Sequence, residues 1–118
     1  MAKQILENFI NKKIRKGDVY IPATLLLLLK NDGQATKEQI AKLIYIFENK
    51  HSLEKYELIV ESFVSVMLTE YSLIKRDGDL FILNQWPLDQ KDVEKLIRMC
   101  FEVSNGFFRN LGNQKKAA

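Results

Sequence analysis

Apolar residues recur at helical spacing in the first third of the chain. Residues 2–16 predict an N-terminal helix with a single apolar stripe, made by Ile5, Leu6, Phe9, Ile10 and Ile14. Residues 18–21 predict a short extended segment, because Pro22 disfavours helical geometry in the residue before it. Residues 23–31 predict a short helix started by Pro22, and its run of leucines places that helix in the centre of the core.

Two longer helices follow, and the first has a clear start signal. Thr36 and Gln39 have the spacing of a capping box, in which each side chain binds the backbone amide of the other residue. The apolar stripe of this helix is Ile40, Leu43, Ile44 and Phe47. A third helix is predicted from Ser52 or Leu53 to between Thr69 and Tyr71, with a stripe at Leu53, Tyr56, Val60, Phe63 and Met67, broadened by Ile59 and Val66.

The last third of the chain predicts a hairpin and a final helix. Two apolar segments, 72–76 and 79–83, flank Asp77-Gly78, which is a signal for a type I′ hairpin turn. Asp89 is a suitable N-cap for the final helix, with Asp92 in the first turn. The predicted apolar face of that helix, ended by Gly112, is Val93, Leu96, Ile97, Cys100, Val103, Phe107 and Leu111.

This order of elements predicts a fold that is mostly α-helical with a small β-hairpin. Helix, capped helix, longer helix and hairpin is the order of a winged helix-turn-helix, here with an extra helix at each end. The alternative is an unrelated small α+β domain with a hairpin. The length of 118 residues indicates one domain, divided into an N-terminal helix within 1–17, a winged-helix core over 18–84, a C-terminal helix within 85–112 and a tail over 113–118.

Charge is unevenly distributed along the chain, although the net charge is only +3. The first 30 residues carry six Lys and Arg against two Asp and Glu, residues 31–70 carry four against seven, and residues 71–118 carry eight against six. The basic ends therefore suit nucleic acid or an acidic protein. No signal peptide or membrane-spanning run is visible, so a cytoplasmic protein without a membrane partner is expected.

Few residues could carry catalysis or hold a metal. One cysteine and one histidine exclude a disulfide framework and zinc ribbons. Asp77 and Asp79 could bind a divalent cation, but turn chemistry explains them better. The acidic and lysine residues of 89–95 superficially resemble nuclease spacing, but Asp residues at a helix start are ordinary caps. The sequence thus predicts no enzyme, no catalytic residue, no metal and no cofactor.

Three single residues have a functional and a structural interpretation. His51 could contact a phosphate, or be a solvated loop residue, which is favoured. Trp86 could stack on a base, but packing between the hairpin and the last helix is favoured. Cys100 lies on the apolar face of the last helix, so an inert buried thiol is favoured over a reactive one.

Several segments together resemble a known family. They are Tyr20–Leu25, Gly33–Ala41, Tyr56–Val60, Leu73–Asp79, Leu96–Cys100 and Phe107–Gly112. Over roughly residues 20 to 112, the chain resembles the winged-helix domain that precedes HNH nuclease modules in prokaryotic restriction-type endonucleases. The resemblance implies a domain that engages double-stranded DNA beside a nuclease domain or subunit. One His and one Cys cannot supply an HNH site, so the resemblance implies a DNA-binding part of a restriction-type system that does not itself cut.

The residues expected to touch DNA fall into three groups. Around the start of the third helix they are Lys50, His51, Ser52 and Lys55, and in the hairpin they are Lys75 and Arg76. Four further cations could form an arm, namely Lys12, Lys13, Arg15 and Lys16. A difficulty is that Glu54 and Glu57 stand at the start of the predicted reading helix, where they repel phosphates.

The alternative function is protein–protein interaction or dimerisation without nucleic-acid binding. The first and last helices carry long apolar stripes outside the minimal winged-helix core, and Phe107 and Phe108 form an anchor pair. If those stripes exceed what the core covers, the domain should form a twofold homodimer. The two functions are distinguished by whether the cations share one face with the hairpin.

Overall fold

The computed structural model describes residues 2–105. This part of the chain is mostly helical and contains a small three-stranded antiparallel sheet. A π-helical segment, Val60–Val64, joins the helices Leu53–Ile59 (α4) and Ser65–Glu70 (α5) into one continuous rod. The elements are α1 (Ala2–Lys12), α2 (Tyr20–Lys30), β1 (Gln34–Thr36), α3 (Lys37–Glu48), α4 (Leu53–Ile59), α5 (Ser65–Glu70), β2 (Ile74–Asp77), β3 (Leu80–Leu83) and α6 (Gln90–Val103).

The first helix is shorter than predicted, and the second begins earlier. Because α1 ends at Lys12, the cations at 13, 15 and 16 lie in the loop that follows it. The expected extended segment over 18–21 is wrong, since α2 begins at Tyr20, whose backbone N–H donates to Asp18 Oδ1 over 3.3 Å. Pro22 is accommodated because it lies in the first helical turn, where a backbone N–H has no helical partner.

Helix α2 forms the centre of the core, as its leucine run predicts. Its residues from Ile21 to Leu29 are buried except for Leu27, which is half-buried. Helix α6 packs against both α1 and α2 and closes that side of the molecule. The remaining side is formed by α3, by the rod of α4 and α5, and by the sheet.

The sheet contains one strand that the apolar pattern does not reveal. Strand β1 pairs with β3, which also pairs with β2, so the order is β1–β3–β2. The hairpin of β2 and β3 is confirmed, but the pairing of Asp77 with Leu80 makes Gly78 and Asp79 its two turn residues. Only Gly78 has positive φ, at 60°, and this pattern is that of a type II′ turn rather than the expected type I′.

The predicted starts of α3, α4 and α6 are confirmed. The capping box of α3 is complete: Gln39 N–H donates to Thr36 Oγ1 over 3.1 Å, and Thr36 N–H donates to Gln39 Oε1 over 2.9 Å. Ser52 caps α4 by accepting from the backbone of Lys55 over 3.1 Å. Asp89 occupies the N-cap position of α6, although its side chain makes no capping hydrogen bond.

The π-helical segment changes which residues of the third helix are buried. The buried positions are Tyr56, Val60, Val64 and Leu68, so the predicted stripe through Phe63 and Met67 is wrong in its second half. A spacing of four residues drifts around an α-helix of 3.6 residues per turn. The wider π-helical turn, closed by a bond from Ser65 N–H to Val60 O, offsets that drift and keeps all four side chains in the core.

Candidate interaction surface

The turn between α3 and α4 is held by a buried tyrosine. The hydroxyl of Tyr56 accepts from Lys50 N–H over 3.0 Å and donates to Glu48 Oε1 over 2.8 Å. Tyr20 of α2 donates to the same carboxylate oxygen over 2.9 Å. Burial, assisted by Glu48, raises the pKa of Tyr20 to about 12, so this phenol keeps the proton that it donates. The turn is therefore fixed to the core.

Four of the predicted DNA-contacting residues lie together at this turn. Lys50, His51, Ser52 and Lys55 are all exposed around the start of α4. The His51 ring lies edge-on to Tyr56 with the ring centres 5.5 Å apart, so its loop position is as expected and the loop is ordered by packing. Neither Lys50 nor Lys55 forms a salt bridge with any carboxylate in residues 2–105.

Arg76, the second cation predicted for the hairpin, is bound entirely within the chain. Its guanidinium donates twice to Glu61, twice to the Gly78 carbonyl and once to Ser65 Oγ, over 2.7 to 3.2 Å, which uses all five N–H donors. It also lies 4.3 Å from the centre of the Phe81 ring. Its structural role is to dock the hairpin on the rod of α4 and α5.

The carboxylate that receives Arg76 is tuned by that contact. The hydrogen bond from Arg76 is the main reason that the pKa of Glu61 lies below its usual value, and Lys37 adds to the effect from 3.6 Å. Lys37 also lies 3.6 Å from Asp79 at the hairpin turn. In this network two cations neutralise two carboxylates between the rod and the hairpin.

Lys75 is exposed but points away from the rod. Successive side chains of a strand alternate between the two faces of a sheet, so Lys75 and Arg76 lie on opposite faces. Lys75 is paired in register with Ile82, whereas Arg76 is paired with Phe81 on the core side. The two hairpin cations therefore do not act as a pair toward one ligand.

The four cations of the expected arm lie beside the other flank of the rod. Lys12 ends α1, and Lys13, Arg15 and Lys16 follow it in the exposed loop. The Lys13 ammonium is 5.6 Å from the centre of the Tyr71 ring, and the loop borders a cavity shared with Phe63 and Met67. The predicted DNA contacts thus fall in three separate places, at the α4 start, on the outer hairpin face and in this loop.

Between these places the rod presents apolar side chains to solvent. Leu58 and Val66 are 59% and 55% exposed, and each lies midway between consecutive buried positions, hence opposite the core. Phe63 is 47% exposed on the flank that borders the basic loop. Lys55 is the sole cation from position 53 to 70, against four glutamates. We call Leu58, Ser62 and Val66 the outward face of the rod.

A pure α-helical period does not reveal this face. It places Phe63 and Val66 in or beside the buried stripe and assigns Leu58 to no surface. The signal that could have revealed it is the four-residue spacing of Tyr56, Val60, Val64 and Leu68, in which every member is apolar. That spacing indicates a locally widened helix, and π-helical turns occur frequently at functional sites.

Most residues in the apolar stripes of the first and last helices are buried in the core. Leu6, Phe9, Ile10 and Ile14 of the first stripe are buried, as are Val93, Leu96 and Cys100 of the last. Within residues 2–105 the exposed exception on these stripes is Ile5, which is 50% exposed, while Ile97 and Val103 are half-buried. Phe107, Phe108, Leu111, Gly112 and the tail at 113–118 lie outside the described residues.

The buried thiol predicted for Cys100 is confirmed, and Trp86 packs against the core, although its observed contact is with Gly33 rather than between the hairpin and the last helix. Trp86 is half-buried, and its ring packs directly over Gly33. Cys100 is fully buried, and burial raises the pKa of its thiol to about 12, so it is protonated and inert at neutral pH. Neither side chain contributes to the exposed surface of the rod.

No helix within residues 2–105 combines the length and the apolar character needed to cross a membrane.

Comparisons with known proteins identify no relative of the chain. No protein-family model, curated protein or solved structure matches the chain.

Proposed function

We propose that the chain is a non-catalytic protein-interaction module of the winged-helix type that binds a partner through the outward face of the rod. The order α2, β1, α3, rod, β2, β3 supports the winged-helix assignment. So does the antiparallel pairing of β1 with the inner strand of the hairpin. In this arrangement the rod occupies the position of the reading helix of a helix-turn-helix.

The observation that carries the proposal is the chemistry of the outward face. Leu58 and Val66 leave more than half of their side chains in water, as does Ile46 at 62% on α3, away from this face. Fully burying one such side chain is worth roughly 1.5–3 kcal/mol, so a partner that covers both gains binding free energy there. Contiguous exposed apolar patches rimmed by polar residues are typical of protein-binding surfaces, and Leu58 and Val66 lie on one face of the rod.

Electrostatics favours a protein over a duplex at this face. The rod carries Glu54, Glu57 and Glu70, which form no salt bridge within residues 2–105, against the single cation Lys55, so it repels a phosphate backbone. Glu61 is paired with Arg76 and Lys37, so it adds little to this repulsion. A partner that approaches with apolar and neutral or basic side chains meets no such repulsion.

The test is the native size of the chain in extracts of cells that express it. The wild-type chain should migrate in a complex much larger than 13.8 kDa that survives nuclease treatment. Leu58→Ser/Val66→Ser should migrate as the free chain, whereas the control Lys91→Ser/Glu94→Ser on α6 should behave like wild type. A wild-type chain that migrates alone, or a complex that nuclease disperses, would contradict the proposal.

DNA binding is the second candidate, and it is favoured by the cluster at the start of α4. Lys50, His51, Ser52 and Lys55 are exposed there, at the end of the rod that enters the major groove in helix-turn-helix proteins. In this case the chain would be the DNA-engaging part of a restriction-type nuclease system. Fluorescence anisotropy with a random duplex should then show binding that weakens between about 50 and about 200 mM salt. Lys50→Ala/Lys55→Ala should abolish that binding, and equal binding by this variant would exclude the α4 cluster as the contact.

A further inference from the structure

Two adjoining cavities form one groove along α1 and the flank of the rod. The first, of about 280 Å³, lies between α1 and the start of β2, and its apolar lining is Ile5, Phe9, Tyr71 and Leu73. The second, of about 580 Å³, lies between the α1–α2 loop and the rod, and its apolar lining is Phe63 and Met67. Lys13 lines both cavities, so they meet at this side chain. We call this surface the basic groove.

The floor of the basic groove is apolar and accessible. Ile5 is 50% exposed, Tyr71 is 43% exposed, and Phe63 completes a set of three large side chains on the floor. All three side chains line the cavities, so a ligand that lies in the groove contacts them. Concave surfaces with apolar floors are where chains dock a helix or an extended segment.

The edge of the groove is strongly basic. Lys12, Lys13, Arg15 and Lys16 all line it, and Lys12, Lys13 and Lys16 form no salt bridge with a carboxylate in residues 2–105. The one carboxylate among the lining residues is Asp18, which accepts a hydrogen bond from the Tyr20 backbone at the start of α2. The groove therefore has an excess of positive charge next to apolar side chains.

We propose that the basic groove binds an acidic amphipathic segment of a partner protein. Its apolar side chains would cover Ile5, Phe63 and Tyr71, and its carboxylates would meet the ammonium groups of the edge. This inference goes beyond the proposed function, because the groove contains neither Leu58 nor Val66 and takes a ligand of defined charge.

The shape and chemistry favour a protein segment over other anions. A sugar–phosphate backbone supplies negative charge but no apolar side chain for the floor. An anionic bilayer supplies both, but its surface is broad and does not enter a groove between α1 and a loop. An amphipathic helix offers a narrow apolar stripe with carboxylates on both sides, which matches a basic edge around an apolar floor.

The test uses a labelled peptide of about 14 residues, with Leu and Phe at helical spacing and Glu elsewhere. Fluorescence anisotropy should show saturable binding below about 100 μM protein. A peptide with Ser in place of Leu and Phe, and one with Lys in place of Glu, should each bind at least about tenfold more weakly, because each lacks one half of the match. Peptide-induced NMR shifts should concentrate at Ile5, Phe63 and Tyr71.

Matched variants locate the site. Lys12→Ala/Lys16→Ala should weaken peptide binding by roughly tenfold, whereas Lys75→Ala/Lys91→Ala, which removes the same charge elsewhere, should change it by less than about twofold. Phe63→Ser removes part of the floor from a half-exposed position and should also weaken binding roughly tenfold. An unchanged midpoint of urea unfolding shows that each variant remains folded.

Several outcomes would overturn the proposal. One is the absence of peptide binding at about 500 μM protein. Another is equal binding of the peptide that has Ser in place of Leu and Phe. A third is an equal loss of binding in Lys12→Ala/Lys16→Ala and Lys75→Ala/Lys91→Ala. Duplex DNA or phosphatidylserine vesicles that compete fully with the peptide and depend on Lys12, Lys16 and Phe63 would assign the groove to those anions instead. Self-association that Phe63→Ser abolishes would assign it to a second copy. The Leu58→Ser/Val66→Ser variant should bind the peptide normally, so failure at the groove is distinguishable from failure of the outward face.

Discussion

Gly33 joins the end of α2 to β1 under two separate constraints. Its φ is +84°, in the left-handed region that favours glycine. A Cβ at this position would lie 2.5 Å from the Trp86 ring, closer than real atoms approach. The contact explains why the segment after β3 can cross the end of α2, and it shows that Trp86 acts in packing.

Gly33→Ala should therefore destabilise the chain by more than backbone strain alone. We expect a loss of about 3 kcal/mol in the free energy of unfolding, from strain together with displacement of the Trp86 ring. Gly78→Ala is the matched control, because Gly78 also has positive φ but a Cβ added there would meet no atom within 4 Å. That control carries backbone strain without a clash and should lose less, about 1–2 kcal/mol, in urea denaturation. Equal losses for the two variants would show that the Trp86 contact has no energetic role.

Arg76 and Lys75 are adjacent cations with opposite roles, set by the faces of β2 on which they lie. Arg76→Ala removes five hydrogen bonds and the contact with Phe81, so we expect a loss of about 2 kcal/mol in the free energy of unfolding. Lys75→Ala removes an exposed side chain and should change stability by less than about 0.5 kcal/mol. Urea titrations measure both, and similar values for the two variants would contradict the docking role of Arg76.

The stability that comes from docking of the hairpin should also depend on pH. The pKa of Glu61 is lower in the folded chain than its ordinary value of 4.5, chiefly because Arg76 donates to the ionised carboxylate. The contribution of this carboxylate to stability is therefore complete when the pH is above the ordinary pKa of 4.5. It is lost as the pH falls through the lower pKa of the folded chain. The stability difference between wild type and Glu61→Gln should be largest near about pH 7 and shrink toward about pH 3. A difference that does not vary with pH would show that the ionised form contributes nothing.

Local signals predicted most elements, and the exceptions have physical causes. The capping box at Thr36, the hairpin around Gly78 and the helix after Asp89 each rest on residues a few positions apart, so the sequence alone reveals them. Strand β1 was missed because its three residues form a strand only by pairing with β3, which is distant along the chain.

The candidate surface was harder to predict than the fold. Which side chains the rod exposes depends on the π-helical segment, and one extra residue in that turn moves Phe63 and Val66 out of the core. The binding of Arg76 to Glu61 joins residues 15 positions apart and could not be read from their spacing. Positive charge was visible in the sequence, but whether each cation is free, paired or on a shared face was decided by tertiary packing.

Three surfaces of different charge surround the rod in the whole molecule. The outward face is apolar with glutamates nearby, one flank is tied to the hairpin through Glu61 and Arg76, and the other flank borders the basic groove. The two proposals therefore place two ligands of different charge side by side. It does not place the cations predicted for DNA on a single face.

Site-specific photo-crosslinking in cells that express the chain tests most directly whether the outward face binds a protein. A benzophenone amino acid in place of Val66 lies on the outward face, and the same group in place of Glu94 on α6 serves as the control. We predict a discrete adduct from position 66, sensitive to protease and resistant to nuclease, and none from position 94. An adduct that nuclease removes, or no adduct from position 66, would contradict the proposal that the outward face binds a protein.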